Sequence, residues 1–213
     1  YEMASEALSI IENRCKELST PLHISKFDSL NYLSCSLKSQ SFSYEGAKYS
    51  ISLLGKHQCK NASVVIDAVK VLRSRGWKIS EDALRSGLRN VRWPARFEIL
   101  SLKPIFILDG GHNPQCASSI AQVISDYLPK QKLRLIIGML ADKNVSEVID
   151  ILAPKVSEFY CLTPDSDRAM PADELTALIM SKGLSAKSYS SSEECLSELL
   201  ESVSEQAIMA FGS

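Results

Sequence analysis

These 213 residues contain no G-x-x-x-x-G-K-[ST] phosphate loop and no G-x-G-x-x-G fingerprint, so neither common nucleotide-cradling loop is available. The missing dinucleotide fingerprint also argues against a dehydrogenase. Six cysteines (Cys15, Cys35, Cys59, Cys116, Cys161, Cys195) are scattered without a C-x-x-C pair or a histidine at ligand spacing. That pattern excludes a sequence-visible zinc site and a disulfide framework, and it suits the reduced thiols of a cytoplasmic protein. No apolar run approaches the roughly 20 residues of a membrane span. The opening YEMASEALSI carries acids where a secretory signal needs a basic start. Neither sign of charge dominates: 24 basic against 25 acidic residues leave a net charge of -1. No global field therefore steers the chain to nucleic acid or to an anionic membrane, and any anion site must be local. The expectation is a soluble protein with small-molecule partners, no nucleic acid and no membrane.

The organisation falls into two grammars. The chain opens on an amphipathic helical pattern (Ala4, Leu8, Ile11, Cys15, Leu18). "NYLSCSL" and "FSYEGAKYSISL" then alternate apolar and polar residues, with a turn at Glu45-Gly46, and predict antiparallel hairpin structure. In "LLGKHQCKNASVVIDAVKVLRSRGW", Val64, Val65, Ala68, Val71 and Leu72 recur at helical spacing and Gly76 closes the helix. A shorter helix follows the Ser80 cap. From Arg96 onward strand and helix alternate: strands at "RFEILSL", "PIFIL", "LRLIIGM", "FYCLT", "AKSYS" and "AIMAF", helices over 113–128, 144–153, 171–182 and 191–203. Such alternation implies right-handed crossovers, hence an α/β fold with a Rossmann-like, mostly parallel sheet and helices on both faces. "NVRWPAR" separates residues 1–92 from 93–213, because Pro94 interrupts both helix and ladder. Both ends read as cut: the first residues already lie inside a helical pattern, and the last follow directly on a strand.

Five stretches offer chemistry. "ILDGGHNP" ends an apolar strand, and Asn113 followed by Pro114 starts a helix whose N–H groups and positive dipole end favour an anion. Gly110 and Gly111 let backbone approach a ligand, Asp109 can accept from a diol such as ribose, and His112 can donate to a phosphate oxygen. The same letters also suit a tight strand-to-helix turn in which the aspartate bonds its own backbone. "GKHQCKN" places His57 and Asn61 one helical turn apart, with Gln58 beside Asn61, and such amides match the polar edge of adenine; polar capping of a helix start is the alternative. "WPARFE" offers Arg96, which can reach a phosphate bidentately or merely pair with Glu98. "GMLADKN" and "FGS" end two strands, where Lys143 and Ser213 can meet a carboxylate or serve only as loop residues.

Taken together and in this order, "LLGKHQCKNA", "WPARFE", "ILDGGHNP", "GMLADKN" and "FGS" resemble the second half of folylpolyglutamate synthase, often bifunctional with dihydrofolate synthase, in the superfamily of ATP-dependent Mur ligases. The resemblance implies a monomeric amide ligase: ATP phosphorylates a folate or dihydropteroate carboxylate, and the amine of L-glutamate attacks the acyl phosphate, with Mg2+ offsetting phosphate charge. It implies that residues 1–92 are the back of the central ATPase domain and 93–213 the C-terminal domain that closes over the nucleotide and presents glutamate. The P-loop, metal ligands and a carbamylated lysine would then precede Tyr1, none of the metal ligands falling in this chain, and the chain alone would not turn over. By motif, Asn61 would hold adenine with Gln58 nearby, Asp109 the ribose, and Arg96 and His112 the phosphates, His112 also serving catalysis; Lys143 and Ser213 would meet glutamate. The family usually has Gly at Ala95 and Ala at Gly111. Another Mur-type ligase, or a non-catalytic nucleotide-binding module on the same sheet, remains the alternative.

Overall fold

The computed structural model describes residues 4–201 and 206–212. They form two compact units. The first comprises Tyr1–Cys35, Ser39–Ser52 and Lys56–Val91; the second is Ser36–Lys38, Leu53–Gly55 and Arg92–Ser213.

In the first unit, helix α1 (Ser5–Glu17) precedes strands β1 (Leu30–Cys35), β2 (Gln40–Tyr44) and β3 (Ala47–Ile51), then helices α2 (Lys56–Ser74) and α3 (Glu81–Asn90). The strands form an antiparallel sheet in chain order. Glu45 and Gly46 join β2 to β3 with φ of 46° and 81°, the paired positive values of a tight hairpin turn that follows the sheet twist. Alternation puts Phe42, Tyr44, Tyr49 and Ile51 in the interior, with Phe42 and Tyr49 cross-strand partners whose rings stack at 5.7 Å. Ser80 caps α3 by accepting from Ala83 N–H at 3.0 Å.

Two apolar stripes lie elsewhere than the sequence suggests. α1 forms over the expected residues, yet none of its side chains is buried. α2 also forms and ends at Gly76, at φ 92°, but its buried side is Gln58, Cys59, Ala62, Ser63 and Ile66, while Val64 and Val65 stay 45% and 48% exposed. Periodicity detects a helix; which stripe it buries depends on what packs against it, and small residues let the Cys59–Ile66 side approach the sheet.

The second unit opens on two strands and then alternates helix and strand: β4 (Glu98–Leu102), β5 (Ile105–Asp109), α4 (Pro114–Tyr127), β6 (Leu133–Gly138), α5 (Val145–Leu152), β7 (Val156–Cys161), α6 (Ala172–Ser181), β8 (Ala186–Ser188), α7 (Ser192–Glu201) and β9 (Ile208–Gly212). The sheet order is β4-β5-β9-β6-β7-β8, parallel except for the β4–β5 hairpin. Right-handed crossovers set the layers. Leu133, Leu135 and Ile137 of β6 join Ala117, Ile120, Val148 and Leu175 of α4, α5 and α6 in one core. The intervening Ile136 joins Cys195 and Leu199 of α7 in a second core on the other face. Arg134, of the same parity as Ile136, is buried and donates from Nη1 to Leu199 O at 3.0 Å, where a cation complements the closing end of α7.

The last strand therefore occupies the middle of the sheet, and the carboxyl ends of β5, β9, β6 and β7 share one edge. There Gly212, at φ 134°, comes so close to its partner Gly138 that an added Cβ would lie 1.9 Å from Gly138 O. Only a glycine at 212 permits that approach.

Candidate functional site

Asp109 ends β5 and organises the edge. Its carboxylate is 3% exposed; Oδ1 accepts from Gly111 N–H at 2.8 Å and Oδ2 from Phe97 N–H at 2.8 Å. Two further bonds close the motif: Gly110 N–H donates to Ala95 O at 2.9 Å, and Ala95 N–H to Glu98 Oε2 at 2.9 Å. The "WPARFE" and "DGGHNP" stretches thus form one clamp. It holds Ala95 and Phe97 at φ 55° and 43°, left-handed values that side chains resist. Burial pushes the Asp109 carboxyl above its ordinary value, against the two amide bonds and the charge of Arg96, which lower it. Each oxygen keeps a lone pair, but the carboxylate's present partners are backbone amides, the turn-building alternative raised by the sequence.

The clamp presents Arg96 outward. Its guanidinium lies 5.6 Å from the Trp93 ring centroid and donates no hydrogen bond among the described residues, while Trp93 itself is 62% exposed. Glu98, the ion-pair alternative for Arg96, instead accepts from Ala95.

Beyond the clamp, Asn113 caps α4, its Oδ1 accepting from Cys116 N–H at 2.8 Å, with Pro114 in the first turn. Proline has no N–H and Cys116 is engaged, so the first turn offers an anion the Gln115 amide and the dipole rather than a full cradle. His112 Nδ1 lies 3.2 Å from Gly110 O. A carbonyl only accepts, so Nδ1 carries the proton, and Nε2 donates to a phosphate oxygen only when the ring is cationic.

At the start of α2, in the first unit, the polar trio is coupled. Asn61 Nδ2 donates to Gln58 Oε1 at 3.1 Å, and Gln58 Nε2 meets His57 Nε2 at 3.1 Å. Gln58 is 4% exposed and acts on Asn61 rather than outward; Asn61 keeps its Oδ1 and a second N–H, an acceptor–donor pair of the kind an adenine edge requires. Lys143 lies on the loop after β6, with Nζ 3.7 Å from Asp142 Oδ2. Ser213 lies outside the described residues. Arg96, Asp109, His112 and Lys143 fall in the second unit; Gln58 and Asn61 fall in the first.

The model of the Mur ligase glutamate ligase domain matches residues 95–213, over half of the chain. The chain belongs to the Mur ligase family. A folylpolyglutamate synthase of Lacticaseibacillus casei is 31% identical over 181 residues, covering 82% of this chain and 41% of that protein. The crystal structure of folylpolyglutamate synthase from Thermotoga maritima aligns with a TM-score of 0.79 and 27% identity over 99% of this chain and 50% of that one. FolC of Escherichia coli, in complex with DHPP and ADP, aligns at 0.76 and 26% identity over 96% of this chain and 48% of that one. The chain thus spans about half the length of these solved relatives.

Within this Mur ligase domain the packing explains the Gly111 departure. A Cβ on Gly111 would lie 2.6 Å from Phe211 Cε2, 2.8 Å from Asp109 Oδ1 and 2.9 Å from Cys116 Cβ, so the Phe211 ring occupies the space an alanine methyl needs. The Ala95 departure has no such compensation, since a glycine there would relieve φ 55°. For a divalent metal the described residues offer no cluster of three or more His, Cys, Asp or Glu, and no residue of this Mur ligase chain is assigned to one.

Proposed function

We propose that this chain supplies the nucleotide-binding and glutamate-presenting residues of an ATP-dependent ligase that adds L-glutamate to a folate or dihydropteroate carboxylate through an acyl phosphate. The observation that supports the reading is the clamp: family membership over 95–213 coincides with a strained loop, tied to Gly110 through Ala95 O, whose exposed Arg96 donates no hydrogen bond among the described residues. In this reading Asn61, oriented by Gln58, takes adenine, and the spare lone pairs of Asp109 take a ribose hydroxyl. Arg96 and His112 share the phosphate charge that shifts as phosphoryl moves to the acceptor carboxylate. His112 can return a proton to the departing phosphate when the glutamate amine attacks the acyl carbon.

The test is radiolabelled glutamate incorporation by the full-length protein with ATP and either dihydropteroate or tetrahydrofolate, with UDP-linked muropeptide as the acceptor that identifies another Mur-type ligase. One ADP and one phosphate should form per amide bond, and His112→Ala should lower kcat by about a hundredfold or more. Absence of acceptor-dependent ADP release would sink the reading.

A further inference from the structure

The backbone on either side of Arg96 is pinned. Ala95 N–H donates to Glu98 Oε2 at 2.9 Å, Ala95 O accepts from Gly110 N–H at 2.9 Å, and Phe97 N–H donates to Asp109 Oδ2 at 2.8 Å. Both acids of the clamp, Glu98 and Asp109, thus accept from backbone amides, and neither accepts a hydrogen bond from the Arg96 guanidinium. A long side chain so placed keeps its rotamer freedom, and immobilising it on a ligand lowers affinity. One contact limits that freedom. The guanidinium carbon lies 5.6 Å from the Trp93 ring centroid, within the reach of a cation–π contact. Pro94, between the two residues, fixes its own φ, so ring and guanidinium are carried on a short, stiff loop.

An aromatic face steadies a guanidinium differently from an acid. A carboxylate would hold Arg96 by occupying its N–H donors, whereas an indole face attracts the cation and leaves all five donors for an anion. Trp93 is also 62% exposed among the described residues, so its ring is not part of the core of the second unit. We propose that Trp93 is a positioning residue for nucleotide binding, its ring holding the Arg96 guanidinium in the orientation that receives phosphate. Trp93 acts through Arg96 and not by its own contact with the nucleotide. The proposal rests on the ligase reading above, in which Arg96 meets the phosphates.

The experiment is a double-variant cycle on the full-length protein, with the Kd for ADP measured by calorimetry and the KM for ATP and for glutamate by steady-state kinetics. The variants are Trp93→Ala, Trp93→Leu, Trp93→Phe, Arg96→Ala and the double variant Trp93→Ala with Arg96→Ala. Loss of an exposed cation–π contact predicts an ADP Kd about 2- to 5-fold higher in Trp93→Ala, with the glutamate KM and the melting temperature unchanged. Trp93→Leu keeps apolar bulk without a π face and should bind as weakly as Trp93→Ala, while Trp93→Phe should recover part of the affinity. In the Arg96→Ala background, Trp93→Ala should cost nothing further. Wild-type affinity in Trp93→Ala or Trp93→Leu, or losses that add in the double variant, overturns the proposal, and the ligase reading stands so long as Arg96→Ala alone weakens ADP. Unchanged ADP affinity in Arg96→Ala overturns both the phosphate role of Arg96 and the proposal.

Discussion

Ala95 and Phe97 are held at φ 55° and 43°, where an L side chain costs about 1–2 kcal/mol per residue. Phe97 is compensated: its ring is buried against the core and its N–H reaches Asp109. Ala95 gains only its hydrogen bonds, which a glycine would keep. Ala95→Gly should therefore stabilise the chain by up to about 1 kcal/mol, the relief of strain less the added freedom of glycine in the unfolded state. A higher urea midpoint at unchanged slope is the expected result, and an unchanged or lower midpoint would contradict it. Gly111 is the converse case, since its side-chain space is already filled by Phe211.

Between elements, the Asp109 carboxylate joins the end of β5 to the loop before β4 with two acceptor oxygens. An asparagine side chain has one oxygen and one NH2, so Asp109→Asn must set a donor against the N–H of Phe97 or of Gly111. The loss should be about 1–3 kcal/mol at neutral pH. The pH dependence has a definite sign. Burial raises the Asp109 carboxyl above its ordinary 3.8, so the folded chain binds that proton more tightly than the unfolded chain does. The charged form thus carries a stability cost that is complete above the folded pKa and is removed as pH falls toward the unfolded one. The stability gap between wild type and Asp109→Asn should consequently widen on acidification from pH 7 toward about pH 4. Urea titrations at several pH values measure it; a gap that narrows would show that the amide bonds, not burial, govern this carboxyl.

At the scale of the whole molecule, the strand formed last in sequence is inserted between β5 and β6, pairing Ile208 with Phe106 on one side and Arg134 on the other. Deleting residues 206–213 removes the centre of the sheet rather than an edge. Amide exchange should then show the second unit unprotected while the β1–β3 hairpins of the first stay protected. Protection of β5 and β6 in the truncated chain would mean that they pair without β9. The alternation of strands and helices, the Glu45-Gly46 turn, the Ser80 and Asn113 caps and the family signature were legible in the sequence, because each depends on residues a few positions apart. The buried side of α2 was not legible, because its valine stripe and its Cys59–Ile66 stripe have the same helical period and only the packed sheet selects between them. Nor were the partners of Asp109, or the convergence of Arg168 and Lys143 on Asp142, because those contacts join residues brought together by strand order. Local periodicity, capping and turn preferences were enough to place the elements and the candidate chemistry. Which carboxylate clamps a loop and which cations share an acid came from the packed fold, because burial and hydrogen-bond partners are properties of neighbours distant in the chain.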